Sequence, residues 1–600
     1  MERKEIVTRS AQNPKDCWAV EDIFPTEAVW EAELAACRSL PGEMAAYQGR
    51  LGESAQTLLA YLNRMEEINT RVERLFVYAM LRADEDTADS AHQAMKGKCF
   101  SFVVELNTAM AFEGPELVAI PDETLAQFYQ DCPALEKYRR YLELARLAKA
   151  HILSQAEEQL LAGAGEVGSA PSDIFGTFTN ADMTFPDAVD GAGRTHPVTN
   201  GSYISLMESA DRTLRKSAFE SLYHTYGSYE NTLAAAYNAE VRKNLFFAKA
   251  RKYESALESA LKPVEIPTAV YHSLIDTVRE NLPQLHRYMG LRKKIMGLDE
   301  LHLYDIYANM IPEAETELSF DAARDMVVQA LAVLGPEYQT VLKSSFDQRW
   351  MDIYENKGKR SGAYSCGCPN CHPFVLLNHK DTLDSAFTLA HELGHAMHSY
   401  LTQANQPPVY ADYVLFVAEV ASTCNEALLM QYLLGKTQDK KQRAVLINYF
   451  LEQFRTTLYR QTMFAEFELK AHEMAEAGET LTAENLKAMY LQLNRDYFGP
   501  ETVVDDEIAI EWARIPHFYR HFYVYQYATG FSAAMALSSR ILREGEPAVA
   551  DYLKFLSGGC STDPISLLKI AGVDMSTPAP VAQALELFGS LIGQLEELVS

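Results

Sequence analysis

Two short stretches of this chain hold residues whose types and spacing could do chemistry. The first is HELGH at 391–395. His391 and His395 stand four residues apart, so on an α-helix their imidazoles share one face, one turn apart, and can reach a single metal ion. Glu392 lies about 100° round the axis. Its carboxylate can then reach a water on that metal without binding the metal itself, as an H-E-x-x-H pattern on a helix requires. The second stretch is YSCGCPNCHPFVLLNHK at 364–380, with Cys366, Cys368, Cys371 and His372 close together. Its CPNCH spells a haem-attachment pattern and would also pass for half of a structural zinc site. Attachment of haem belongs to exported proteins, and the opening MERKEIVTRSAQNPKDCW has no apolar h-region.

A catalytic zinc ion needs a third protein ligand and an open position. The longer pattern HExxHxxGxxH is excluded, because position 398 is His and 401 is Leu. His398 reads as a helix-surface or supporting residue, so a downstream carboxylate must complete the set. The stretch DYVLFVAEVASTCNEALLMQYL at 412–433 offers Glu419, hemmed in by Phe416, Val417, Ala418, Val420 and Ala421. That is an unusual place for an unpaired charge. Glu426, further along the same helix, could hydrogen-bond a ligand histidine from behind.

These residues need a frame. DTLDSAFTLAHELGHAMHSYL, 381–401, predicts a helix with Asp381 as N-cap, Asp384 in the first turn and QPP at 406–408 after its end. Gly394 inside it costs about 1 kcal/mol against Ala, so a close neighbour is expected there. FVLLN at 374–378 reads as a short buried strand, and 177–206 as hairpin-like material. Apolar residues at three- and four-residue spacing over 43–80, 134–163, 206–250 and 437–475 predict a mainly α protein. A mainly helical N-terminal domain, 1–200, is expected before a larger helical domain, 201–600, containing a small sheet.

The bulk numbers narrow the classes. The chain has 600 residues and a formal net charge of -28, which opposes binding to nucleic acid or anionic membranes. No apolar run approaches the roughly 20 residues of a membrane span. The nine cysteines are odd in number and mostly scattered singly, which predicts reduced thiols and a cytoplasmic location.

Taken together and in order, KGKRSGAYS with the following LLN, HELGHAMHSY, FVAEVAST and HFYRHFYVYQYATGFS resemble the oligoendopeptidase F family. That family belongs to the thimet-oligopeptidase group of zinc metallopeptidases. The likeness runs over nearly the whole chain, from WAVEDIFPTEAVWEAE onward. It implies a multi-lobed helical zincin-type fold, with a small β-sheet beside the active-site helix and a deep substrate channel. It also implies one catalytic zinc ion and short peptide substrates cut at internal bonds. Carried over by residue, His391, His395 and Glu419 would bind zinc and Glu392 would act as general base on a metal-activated water. His517, Tyr523 and Tyr527 would contact the substrate carbonyl. Tyr523 and Tyr527, at i,i+4, are expected on one helix face, with His517 at the start of that helix. Tyr519 competes for the same role, and Gly530 stands where thimet-branch relatives carry a further tyrosine.

The thiols of the 364–380 loop depart from the family. They could be plain unpaired thiols, a Cys368–Cys371 redox pair, or a soft-metal site that also uses Cys366 and His372. Rival functions are a redox or metal-storage protein working through that loop, a silent peptide-binding protein, and an exopeptidase. Cleavage preference and oligomeric state leave no linear signature, because pocket walls are assembled from distant helices.

Overall fold

The computed structural model describes residues 6–311 and 317–599. Helices dominate it, and the described residues hold seven strands of two or three residues each. The chain forms two compact units, each assembled from three segments. The first comprises 1–150, 316–429 and 537–573; the second comprises 151–315, 430–536 and 574–600. The expected mainly α fold with small sheets is what the chain adopts.

The strands are β1 (Ala188–Val189), β2 (Thr195–His196), β3 (Leu301–His302), β4 (Met351–Asp352), β5 (Tyr364–Cys366), β6 (Phe374–Leu376) and β7 (Thr502–Val503). In the second unit β1 and β2 pair antiparallel inside the hairpin-like region, and β3 runs parallel to β7. The first unit holds a three-stranded sheet in the order β4-β6-β5. There β6 is parallel to β4 and antiparallel to β5, with Cys366 opposite Phe374. Every side chain of β6 is buried, which is why FVL reads as an unbroken apolar run rather than an alternation.

Three helices position this sheet and the HELGH motif. Helix α1 (Ala55–Glu85) starts where the Ser54 hydroxyl accepts the Thr57 N–H at 3.1 Å. Its Leu58, Leu62, Met65, Ile68, Val72 and Leu75 fall at helical spacing and pack into a core with Trp18, Trp30, Phe374, Leu376 and Cys368. Each such fully buried aliphatic side chain contributes about 1.5–3 kcal/mol. Helix α2 (Leu383–Asn405) carries HELGH. Its cap is Thr382 rather than the expected Asp381: the Thr382 hydroxyl accepts the Ser385 N–H at 3.2 Å. Asp381 sits one residue too early and uses its carbonyl to accept the Leu318 N–H. Helix α3 (Leu415–Lys436) carries Glu419 and Glu426.

Gly394 now has its neighbour. A Cβ at this position would lie 2.5 Å from Ser422 Cα and 2.7 Å from the Ala421 carbonyl oxygen. Helices α2 and α3 thus touch backbone to backbone, and only glycine permits it. Asn425 of α3 ties the contact, donating to the Ala390 carbonyl and to the Tyr338 hydroxyl, each at 3.1 Å.

Two further helices matter below. The 437–475 pattern forms helix 440–453, a π-helical turn at 454–459 and helix α4 (Arg460–Glu476). Helix α5 (Tyr525–Glu544) follows the short 3-10 segment Pro516–Tyr519. No helix is long and apolar enough to cross a membrane among the described residues.

Because the obstruction at Gly394 is backbone rather than a movable side chain, Gly394→Ala must push α2 and α3 apart. We expect a loss of about 1–3 kcal/mol, the usual cost of overpacking, read as a lower urea midpoint. Unchanged urea stability would show that the two helices separate freely.

Candidate active site

On α2 the i,i+4 spacing places His391 and His395 side by side, with Nε2 atoms 3.2 Å apart. Helix α3, held close at Gly394, brings Glu419 against both: its Oε2 lies 3.4 Å from His391 Nε2 and 3.5 Å from His395 Nε2. These three form the single grouping of three or more metal-ligand side chains with converging donor atoms among the described residues. The Ser422 hydroxyl donates to Glu419 Oε2 at 3.3 Å and steadies the carboxylate. His391 Nδ1 donates to Glu426 Oε1 at 2.6 Å. That bond fixes the tautomer, so Nε2 of a neutral His391 presents a lone pair to its neighbours.

The donor set fits a small divalent cation. Four-coordinate zinc with ligands at 2.0–2.1 Å would hold its donor atoms about 3.3–3.4 Å apart, and the three separations here bracket that value. Two imidazoles and a carboxylate are also donor types that zinc takes. Without a cation or extra proton between them, three lone pairs would face one another. The electrostatics agree: burial alone would lower the His391 pKa, but Glu419 and Glu426 outweigh it and hold the pKa well above the ordinary value. Burial would raise the Glu419 carboxyl, but the two imidazoles hold it far below the usual range.

Glu392 behaves differently. It is 6% exposed, and its Oε2 makes no hydrogen bond to the protein. Burial raises its pKa, with His391 and His395 opposing the shift. A carboxylate held this way is a better proton acceptor than one in water. His398 corrects the sequence reading: it is neither at the surface nor a partner of the metal-ligand group. It is fully buried, stacks on Tyr413 at 3.7 Å and 4° between rings, and leaves both nitrogens without protein partners. Burial pushes its pKa down to about 3, so it is a neutral packing element.

The late motif forms a cluster of its own in the second unit. The rings of His517 and Tyr523 are stacked with centroids 6.0 Å apart, and Tyr527 stands edge-on to both. The Tyr527 hydroxyl donates to that of Tyr523 at 3.3 Å. Tyr519 points elsewhere, stacking on Phe175 at 4.3 Å. Burial, with Arg520 nearby, lowers the His517 pKa, so its imidazole is neutral at neutral pH and keeps one N–H to donate.

Two details differ from the expected helix face. His517 lies in the separate Pro516–Tyr519 turn, and Tyr523 precedes α5 instead of lying on it. The cause is Phe522, which adopts a left-handed backbone at φ 48°, an uncommon conformation for a bulky residue. A buried carboxyl group holds it there: Glu468 of α4 accepts the Phe522 N–H at 2.7 Å. Glu468 is completely buried, and burial pushes its pKa far up. Sequence reasoning passed over Glu468, although FAEFELKAH sets it between Phe467 and Leu469, the same signal that singled out Glu419.

Comparison with known proteins follows the same lines. The model of peptidase family M3 matches residues 205–587, and that of oligopeptidase F matches 116–185. Oligopeptidase PepF of Bacillus subtilis (strain 168) is 44% identical over 99% of this chain and 89% of its own length. The oligoendopeptidase F homolog of Lactococcus lactis subsp. lactis (strain IL1403) is 40% identical over 98% of each chain. Among solved structures, oligoendopeptidase-F from Enterococcus faecium superposes with a TM-score of 0.75 at 35% identity, covering 96% of this chain and 99% of that one.

Glu468→Ala removes the acceptor of a buried N–H that holds a strained residue. It should cost about 1–3 kcal/mol, the penalty of a buried unsatisfied group, whereas Glu468→Gln keeps an acceptor oxygen and should lose less. Chemical denaturation of the two variants side by side checks this; equal losses would remove the Phe522 bond as the cause.

Proposed function

This chain belongs to peptidase family M3 and is a metallo-oligopeptidase, and from that premise we propose a zinc-dependent endopeptidase that cuts internal bonds of short peptides. The observation that carries the reading is the triangle of His391 Nε2, His395 Nε2 and Glu419 Oε2, with sides of 3.2, 3.4 and 3.5 Å. In this reading the three side chains hold one zinc ion, and Glu426 orients His391 from behind. Zinc, when bound, supplies Lewis acidity that polarises water and the scissile carbonyl.

The chain's own groups do the rest. Glu392 takes the proton of the attacking water on its unpartnered oxygen, then gives it to the leaving amine nitrogen. Its buried setting favours both halves, since the protonated acid is stable enough to wait for the leaving group. His517, Tyr523 and Tyr527 are assigned to the substrate carbonyl oxygen, where donors stabilise the charge that develops. Their support is the cluster itself: two hydrogen-bonded hydroxyls with a neutral imidazole packed against both rings. Strand β5, at the edge of its sheet, is suited to pairing with an extended peptide backbone. We further propose that catalysis belongs to residues 201–600, with 1–200 as a helical N-terminal domain, supported by the family match at 205–587. A cytoplasmic location is supported by the odd, scattered cysteines.

The reading is tested by incubating the protein with a mixed peptide library and mapping cuts by mass. Internal cuts, abolished by a chelator and restored by zinc, are expected; cuts confined to peptide ends would assign an exopeptidase instead. Glu392→Gln should retain zinc and lose about 10²–10⁴-fold in kcat, the usual worth of acid–base catalysis; wild-type turnover would remove Glu392 as base. Glu419→Ala should lose its zinc on dialysis, read by metal analysis. Glu426→Ala should weaken zinc binding by about 10–100-fold, read by competition with a chromogenic chelator.

A further inference from the structure

The peptidase chemistry leaves the thiols between β5 and β6 unused. Cys368 is fully buried in the core that contains Phe374 and Leu376, while Cys371 is half-buried. Between them the chain reverses in a tight turn closed by the Cys371 N–H donating to the Cys368 carbonyl at 3.1 Å. Pro369 and a left-handed Asn370 (φ 56°) fill its two central positions, the residue types such a turn favours. A turn of this kind keeps its end Cα atoms within 7 Å, and a disulfide spans 4.4–6.8 Å. The Cys368 thiol donates to the Pro369 carbonyl at 4.0 Å, inside the turn. Arg74 of α1 donates to the Pro369 carbonyl at 2.7 Å and the Asn370 carbonyl at 3.3 Å, which fixes the turn and sets a cation beside it.

The other two candidates stand apart. Cys366 is held in β5 opposite Phe374, and burial pushes its thiol up to about 12. His372 directs Nε2 to Asp22 at 3.2 Å and stacks on Trp350. A four-ligand soft-metal site therefore does not form here, and what remains is a pair.

We infer that Cys368 and Cys371 form a redox-active dithiol, a site of reversible disulfide formation with low-molecular-weight disulfides. Cys371 is the attacking sulfur, since it is the more exposed and the Arg74 guanidinium sits on its turn, where a cation favours a thiolate. The Cys371 thiolate attacks one sulfur of the small disulfide R–S–S–R; that S–S bond breaks, and the first R–S⁻ leaves and takes up a proton. Cys368 then loses its proton and attacks Cys371 Sγ, and the second R–S⁻ leaves and is protonated. The two protein thiols are oxidised by two electrons, and one small disulfide is reduced to two thiols. The bond would form beside the HELGH helix, because a Cβ on Gly367, the residue before Cys368, would lie 2.6 Å from Gln403 Nε2 and 3.3 Å from Ser399 Cβ.

The full-length protein is incubated with oxidised glutathione, unreacted thiols are blocked with N-ethylmaleimide in denaturant, and the peptide carrying residues 366–372 is weighed. Cys368 and Cys371 should lose alkylation together, Cys366 should keep it, and dithiothreitol should restore both. In Cys368→Ser the reaction should stop with glutathione on Cys371. The inference is overturned if both thiols stay alkylated, if the unmutated chain stops at a glutathione adduct, or if Cys366 enters the pair. None of these readings depends on peptide turnover.

Discussion

The candidate site depends on one contact: the backbone of α2 at Gly394 pressed against the backbone of α3 at Ala421 and Ser422. Two ordinary packed helices lie 8–10 Å apart, a spacing set by their interfacial side chains. Removing the side chain at the crossing lets α3 approach until the carboxylate of Glu419 reaches the imidazoles of α2. The carboxylate–imidazole separations of 3.4 and 3.5 Å follow from that approach. The same proximity lets Asn425 bond the Ala390 carbonyl and Glu426 bond His391 Nδ1. A residue that costs helix stability locally thus sets the geometry of five side chains.

Bringing three lone pairs together inside a protein is unfavourable unless something positive lies between them. The fold meets this in two ways. Behind His391, the negative Glu426 holds the imidazole by its Nδ1 proton, which fixes the ring and makes Nε2 a stronger donor. Between the three donors, a divalent cation would answer the excess of negative charge. In its absence the same field draws a proton onto His391, which is what the raised pKa of that imidazole expresses. A metal ion bound there would compete with that proton for one position.

Much of this was legible in the sequence, and the failures have a common cause. HELGH and Glu419 stand out because a local rule exposes them: helical spacing for the first, a charge inside an apolar run for the second. The cap of α2 was misplaced by one residue, since Asp381 and Thr382 both have capping side chains and the choice fell to the Leu318 bond, made from a segment 63 positions away in sequence number. The partner of Gly394 could not be named, because the contact is with backbone, which carries no residue signature. Tyr523 was placed on a helix that begins after it, because a left-handed Phe522 is imposed by Glu468 from another helix. Local spacing identifies which residues can act. Contacts distant in sequence decide where the chain turns.

The three glutamates around the HELGH helix show how environment separates roles that sequence leaves equal. Glu419 meets two imidazoles and is held ionised far below the usual range, which suits a ligand that must never be protonated. Glu426 is committed through a 2.6 Å bond to a single Nδ1 proton, which suits a group that orients and does not react. Glu392 is buried, keeps one oxygen without a protein partner and has its pKa raised. A raised pKa and an oxygen open to a proton suit a group that takes part in proton transfer. Exchanging any two of these settings would preserve the composition of the site and destroy its division of labour. Burial and partner, rather than residue type, therefore separate the three carboxyls.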